Sequence, residues 1–426
     1  MSDDDRPHWN PEVQTRPDDA IAAHVREGLA REWTRAWDVP VPFHRDRFEA
    51  AGLSRDEVPD LDDIPTFTKD DLRADEAANP PFGTHRTVSL RQALKVGGST
   101  GTSGTPVIMA FGPADVDQAV EHMCRVMWRY GVRPHDSFTH SWPQGFYMSS
   151  TFTALWFARI PLLEIPVGPP MDVGQAAEHL RLWQRLGPHG FMMTSSQLQT
   201  YEDAAEIEGI DLRSLFEGRP IALLDAIFQF EEPRARLEER YGFRIHNMGG
   251  VGEIPGFGVT DCVHHRGLHV PSDMVVPQVV DPATGRSVAD GERGHMVLTT
   301  LGYDQLIVRY DIEDICTLTH EPCPCGETGP RFTLLGRGSD AVEVDGRKIL
   351  PLDVQLVLHA HDAPDFQFAP KADQTGHALR LRIEGEGDAA RHQGILAEGL
   401  GVPVEVEEVA PRSLPRSTFK PRRVSA

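Results

Sequence analysis

The sequence predicts an α/β fold: a large N-terminal α/β domain with a β-rich subdomain, then a small mobile α+β C-terminal domain. Three observations carry this. Between residues 94 and 250, short apolar strand-like runs alternate with amphipathic helical stretches, the signature of a largely parallel sheet. A segment of glycines and hydroxyls, Gly97–Pro106 (GGSTGTSGTP), lies between the apolar runs Leu94–Val96 and Val107–Phe111. From about residue 260 the texture changes to short β segments separated by Asp-Pro, Asp-Gly and Gly-Glu turns.

The elements follow in order. Apolar spacing predicts a helix over Asp18–Trp37, with Ile21, His24, Val25, Leu29 and Trp33 on one face, ended by Pro40 and Pro42. A short helix is expected over His44–Ala51, and Thr68 reads as the N-cap of a helix opening in Phe67–Leu72. Helices are predicted over Pro113–Tyr130, Ser149–Ala158, Asp172–Leu186 and Glu231–Tyr241. The strands between them are Ser137–Trp142, Leu162–Val167, Gly190–Thr194, Ile221–Leu224 and Arg244–Met248. The β-rich part comprises Met274–Val280, His295–Thr299, Leu306–Tyr310 and Ile315–Thr319. After Gly336–Asp340 (GRGSD) come a hairpin over Val342–Ile349, helices Leu352–His359 and Ala389–Glu398, and strands Phe366–Pro370 and Ala378–Glu384. The domain boundary is expected at Leu335–Asp340, giving domains 1–335 and 336–426.

Composition narrows the function. A chain of 426 residues with 40% hydrophobic and 25% charged content can bury a large core. Its net charge of −22 argues against binding nucleic acid or an anionic membrane, and demands a locally positive site for any anionic substrate. The acidic start MSDDDRPHWN and the lack of an 18-residue apolar run predict a cytoplasmic protein without signal or anchor. Small-molecule substrates are the expected partners, and a homodimer is compatible with this reading. Five cysteines, two of them in Cys-x-Cys, suit a reducing compartment.

Several motifs carry chemistry. Glycines in the 97–106 segment let backbone N–H groups converge on phosphate oxygens, and the hydroxyls add neutral donors. It is not a Walker A loop, since Lys95 precedes it; a flexible linker is the bland alternative. Cys262 and His269, with six residues between them, and Cys323 and Cys325 downstream form an N/S set suited to zinc; His264 and His265 are rival ligands, and reduced buried cysteines are the alternative. Cys124 and Cys316 sit in core patterns. Trp142, Phe146 and Tyr147, with Met192, Met193 and Ser195, are candidate walls for a flat substrate or plain core. Residues 411–426 hold Arg412, Arg416, Lys420, Arg422 and Arg423 and no acid, against the charge of the whole.

In this order the motifs resemble the adenylate-forming superfamily, specifically its phenylacetate–CoA ligase-like branch, over nearly the full chain. The resemblance implies that Ser99, Thr100, Gly101, Thr102, Ser103, Gly104 and Thr105 cradle the pyrophosphate of ATP. It implies that Glu253 holds Mg²⁺, Asp314 accepts the ribose hydroxyls, Arg337 lies near ribose or phosphates, and Asp340 is a pivot. Val342–Pro351 would build the thiolation surface, and Lys420 in SLPRSTFKPRRV would bridge carboxylate and α-phosphate as a catalytic residue. Cys262, His269, Cys323 and Cys325 look like the ligands of zinc-containing members. Two departures stand out: Gly249 replaces an aromatic expected to stack on adenine, and Gly252 a hydroxyl residue expected at the α-phosphate. Phe419 replaces a glycine before the lysine. The implied activity is ATP-dependent activation of an aryl carboxylic acid as acyl-adenylate, then transfer to CoA. Alternatives are an adenylating enzyme with another acceptor or substrate, such as an aryl-amine diazotase activating nitrite, or a non-catalytic nucleotide-binding homologue.

Overall fold

The computed structural model describes residues 6–39, 41–99, 106–143, 145–146, 152–361, 366–368, 377–385, 387–411 and 413–414. Compactness divides the chain into two units: residues 1–168, 188–190 and 248–334, and residues 169–187, 191–247 and 335–426.

In the first unit, helix Asp18–Asp38 follows Pro17 and carries Asp18 and Asp19 in its first turn, where the helix dipole favours acids. It buries Trp33 and Ala36 against Val41, Phe48, Ile64, Leu306 and Val308. The next helix begins at Pro42, two residues before the predicted start, because proline's fixed φ suits the first helical position. Helix Lys69–Ala78 starts where Thr68 predicts it: the backbone N–H and hydroxyl of Thr68 donate to Asp71 at 2.7 and 3.0 Å.

Strands Lys95–Gly98 and Ile108–Phe111 pair antiparallel, Gly98 opposite Ile108, and flank the glycine-rich stretch. Helix Pro113–Arg129 follows, with Asp115 accepting from the N–H of Gly112 at 2.9 Å. Strand Ser137–His140 pairs parallel with Leu163–Pro166; it ends before Trp142, short of the prediction. The helix between them is described from Thr153 to Arg159.

The β-rich part of this unit is an antiparallel sheet. Its order is Val275–Val280, Gly294–Thr300, Tyr310–Thr319, Arg331–Leu334, Leu268–His269, Gly258–Thr260 and Met248–Gly250. Leu306–Tyr310 and Ile315–Thr319, expected as two strands, are corrected to one, Tyr310–Thr319. Leu306 and Val308 are apolar because they bury beneath helix Asp18–Asp38, not because they pair. Arg309, 1% exposed with φ at +60°, donates to the carbonyls of Ile64 (2.6 Å) and Gly285.

In the second unit, Phe191–Thr194, Pro220–Leu224 and Arg244–Asn247 form a parallel sheet. Its helices Val173–Leu186, Ser195–Glu208 and Glu231–Tyr241 each end on a left-handed glycine (Gly187, Gly209, Gly242), a conformation that costs glycine little. Beyond Leu335 come the predicted hairpin Val342–Val344 with Arg347–Ile349, and helices Pro351–His359 and Ala389–Leu400. Strand Leu379–Glu384 pairs with Phe366–Phe368 and with Val404–Val409, the last unread in the sequence. Val354, Leu358, Leu381, Ile383 and Leu396 fill the core between them.

Candidate active site and metal centre

The base of the glycine-rich stretch is closed by Ser99, 3% exposed. Its N–H donates to the carbonyl of Val107, and its Oγ accepts from the N–H of Val107, both at 3.1 Å. Gly98 must lack a side chain, since a Cβ there would lie 2.4 Å from Cε1 of Phe146, whose carbonyl accepts the Gly98 N–H at 2.9 Å. Phe146 is 46% exposed, whereas Trp142 is buried. Thr100, Gly101, Thr102, Ser103, Gly104, Thr105, Tyr147 and Lys420 lie outside the described residues.

Glu253 comes to this base through Gly252. A Cβ on Gly252 would sit 3.4 Å from Cα of Ser99, so the turn before Glu253 packs on the loop base in ordinary contact. The Glu253 carboxylate is buried, and Nζ of Lys69 lies 2.8 Å from its Oε1. A buried carboxylate without a counter-charge is costly, and the lysine supplies one. Lys69 sits in the stretch Phe67–Leu72, legible in the sequence only as a helix start.

Two turns further along the same helix, Oε1 of Glu76 accepts from the N–H of Ile108 at 2.7 Å. Burial pushes the Glu76 carboxyl up to about 7 against the pull of that N–H, and the charges of Asp75 and Glu253 push the same way. The helix is moored at its start as well. Phe67 donates to the carbonyl of Arg309 (3.1 Å) and accepts from the N–H of Asp311 (2.8 Å).

Asp314 lies half-buried on that strand, at an irregularity. Val297 faces Asp311 and His295 faces Ile315, so residues 312–314 oppose Met296 alone. Glu313 takes a left-handed φ of +61°, with its N–H held by Oδ1 of Asp311 at 2.8 Å. Such bulges re-aim side chains. At Gly249 a Cβ would lie 2.6 Å from Cδ1 of Leu334, so leucine fills the space where an aromatic was expected. In the second unit, Arg337 ends its strand and precedes the turn Gly338–Asp340. There Met192 and Met193 are sheet core, and Oγ of Ser195 donates to Asp225 at 2.7 Å.

The four predicted metal ligands converge. Donor atoms of Cys262, His269, Cys323 and Cys325 lie within 4.8 Å of one another. Cys262 and Cys323 sulfurs are 3.6 Å apart, and Cys325 Sγ is 3.7 Å from Nε2 of His269. Ligands at about 2.3 Å on a tetrahedron stand about 3.7 Å apart, so the set fits Zn²⁺. Hydrogen bonding from Cys325 holds the Cys262 thiol well below its ordinary range against the opposing effect of burial, with His269 adding to the pull. The rival His265 pairs with Asp261 at 2.5 Å and His264 is exposed; neither belongs to the set. Behind the cluster, Glu327 takes two hydrogen bonds from Arg129 (3.0 and 2.5 Å), and its Oε2 is 3.9 Å from Nδ1 of His269. Burial raises the Glu327 carboxyl, but Arg129 and His269 win and hold it at about 2. Cys124 and Cys316 are buried with raised thiols, as core cysteines are.

No family model matches the chain. The phenylacetate-coenzyme A ligase of Thermus thermophilus is 28% identical over 384 residues, 88% of this chain and 84% of that protein. The Escherichia coli (strain K12) enzyme of the same name is 26% identical over 389 residues, 88% and 84%. Among solved structures, 2-hydroxyisobutyryl-CoA ligase in the postadenylation state with 2-HIB-AMP matches at a TM-score of 0.89 and 26% identity, covering 99% of this chain and 92% of that one. O-succinylbenzoate coenzyme A synthetase from Bacillus subtilis, in complex with AMP, shares the fold at 0.56 and 14%, covering 78% and 68%. Curated homologues are thus phenylacetate–CoA ligases, and structural neighbours are acyl-CoA ligases of the adenylate-forming superfamily. Among the described residues no helix is long and apolar enough to cross a membrane.

The Arg129–Glu327 pair behind the cluster is testable. Arg129→Met strands a buried carboxylate and is expected to cost about 3–5 kcal/mol, most of it recovered in the double variant with Glu327→Gln. Because the carboxyl sits at about 2 instead of 4.5, its contribution is complete above about pH 4.5 and lost as pH falls toward 2. Denaturant titrations of the wild type, Arg129→Met, Glu327→Gln and the double variant check this; equal stability of the Arg129→Met and wild-type proteins would contradict it.

Proposed function

We propose that this chain, with the fold of the adenylate-forming ligases and phenylacetate–CoA ligases as homologues, is an AMP-forming ligase. It activates a carboxylic acid with MgATP as acyl-adenylate and passes the acyl group to CoA. The observation that carries the reading is the convergence of the loop base at Ser99 with buried Glu253 and its partner Lys69, in a chain whose relatives are named as phenylacetate–CoA ligases.

The carboxylate attacks the α-phosphorus of ATP and pyrophosphate departs. The backbone N–H groups and hydroxyls of Thr100–Thr105, with the hydroxyl of Ser99, meet the departing polyanion, which develops charge as the bond breaks. Glu253 would hold Mg²⁺, which would supply positive charge to the phosphates when bound; a buried carboxylate balanced by the Lys69 ammonium is a fitting oxygen donor. Asp314, presented by the bulge, accepts the ribose hydroxyls, and Arg337 serves the ribose or phosphates. Lys420 brings a point charge between attacking carboxylate and α-phosphate. CoA sulfur then attacks the acyl carbon and AMP leaves.

Finer features belong to the same reading. An aryl acid is the proposed substrate class, with Trp142, Phe146 and Tyr147 at its ring, in keeping with homologues named for phenylacetate. The C-terminal domain from residue 336 turns about Asp340 to admit CoA, using Val342–Pro351. Cys262, His269, Cys323 and Cys325 would hold structural Zn²⁺, which cross-links the hairpins. The free cysteines accord with action in the cytoplasm. The comparisons lend the nitrite-activating diazotase no support.

Acid-dependent ATP–pyrophosphate exchange with a panel of aryl acids tests the reading. Phenylacetate or a relative should support exchange, and Lys420→Ala should lower it by at least about a hundredfold, the scale of one transition-state contact. Exchange with no acid, or full activity without Lys420, would contradict it. For the metal, elemental analysis should find about one zinc per chain, falling in the Cys323→Ser/Cys325→Ser variant. Unchanged zinc in that variant would remove these ligands.

A further inference from the structure

One carboxylate beside the loop has no part in the chemistry above. Glu76 lies seven residues after Lys69 on helix Lys69–Ala78. Seven residues are about 20° short of two turns, so both side chains leave one face, about 10 Å apart along the axis. Lys69 reaches Glu253 at 2.8 Å, and Glu76 reaches the N–H of Ile108 at 2.7 Å.

Ile108 is the first residue of the strand that leaves the glycine-rich stretch. The cross-strand bonds at this end are made by Ser99 and Val107, one residue to the side. Successive backbone N–H groups on a strand point to opposite edges, so that of Ile108 faces away from the entry strand. The edge would be bare there, and a carboxylate from the neighbouring helix takes the place of a third strand. The Glu76 oxygen, 2.7 Å from that N–H, satisfies a donor that this two-stranded pairing leaves facing away from its partner strand. One short helix therefore grips both the exit of the stretch and the carboxylate assigned to Mg²⁺. A rigid helix sets the spacing between the two grips; a triphosphate engaged by both requires that spacing to be constant.

We infer that Glu76 is a positioning residue for MgATP: through the N–H of Ile108 it registers the exit of the phosphate loop to the Lys69–Glu253 pair. The inference rests on the adenylation reading and assigns Glu76 no contact with substrate.

Three variants test it, each read by KM for MgATP, KM for the acid, kcat and hydrogen–deuterium exchange over residues 106–111. Glu76→Leu removes the acceptor. Its KM for MgATP should rise about tenfold, the size of one lost buried hydrogen bond, with KM for the acid within about twofold and faster exchange at Ile108. Glu76→Gln keeps an oxygen at the same reach and should restore both most of the way. Glu76→Asp keeps the charge but is one methylene short, and should resemble Leu even where the Leu variant fails to fold. A wild-type KM for MgATP in Asp or Leu overturns the inference, as does equal impairment of Gln and Leu. If the wild type exchanges pyrophosphate with no acid, the adenylation reading falls first. Calorimetric MgATP binding across the same variants then decides the inference, and equal affinities overturn it.

Discussion

The Glu253 carboxylate can be buried only because Lys69 stands 2.8 Å away. Desolvating an unpaired carboxylate costs several kcal/mol, enough to distort the turn or force protonation. The anchorage of Lys69 explains much of the surrounding structure. Thr68 and Asp71 cap its helix, Phe67 ties the helix to Arg309 and Asp311, and Glu76 joins the far end to Ile108. Glu253, Ser99 and the strand of Asp314 are thereby linked through hydrogen bonds and contacts within one unit.

The Cys/His cluster does comparable work among the strands Gly258–Thr260, Leu268–His269 and Arg331–Leu334. Cys262 and His269 come from one hairpin, Cys323 and Cys325 from the turn before strand Arg331–Arg337. A metal held by all four would fix that turn, and hence the start of the strand that carries Leu334 beneath Gly249. Glu327 stands behind His269, its Oε2 3.9 Å from Nδ1, so its negative charge faces the imidazole.

Local signals were the legible ones. Thr68 with Asp71, Pro42 and Pro113 mark helix starts because capping is decided within a few residues. The Cys262, His269, Cys323 and Cys325 set was legible because thiol and imidazole types announce themselves, and the contact of the rival His265 with Asp261 agrees with the choice of His269. The Lys69–Glu253 pair was not legible: its members lie far apart in sequence, and an isolated lysine at a helix start reads as surface. Leu306–Tyr310 misled because burial beneath a helix and burial in a sheet produce the same apolar run. The bulge at 312–314 was hidden too, since Glu313 supplies the left-handed residue without a glycine to mark it. The departure at Gly249 reads in the structure as a repacking around Leu334, a substitution of one apolar surface for another.

The central claim is that a carboxylate oxygen attacks the α-phosphorus of ATP. Isotope transfer tests it most directly. An aryl acid labelled with ¹⁸O in both carboxylate oxygens is incubated with protein, MgATP and CoA, and the products are read by mass spectrometry. The account predicts acyl-CoA together with AMP that carries one ¹⁸O on its phosphate, left behind when CoA displaces the adenylate. Unlabelled AMP, or label recovered in orthophosphate beside ADP, would contradict it.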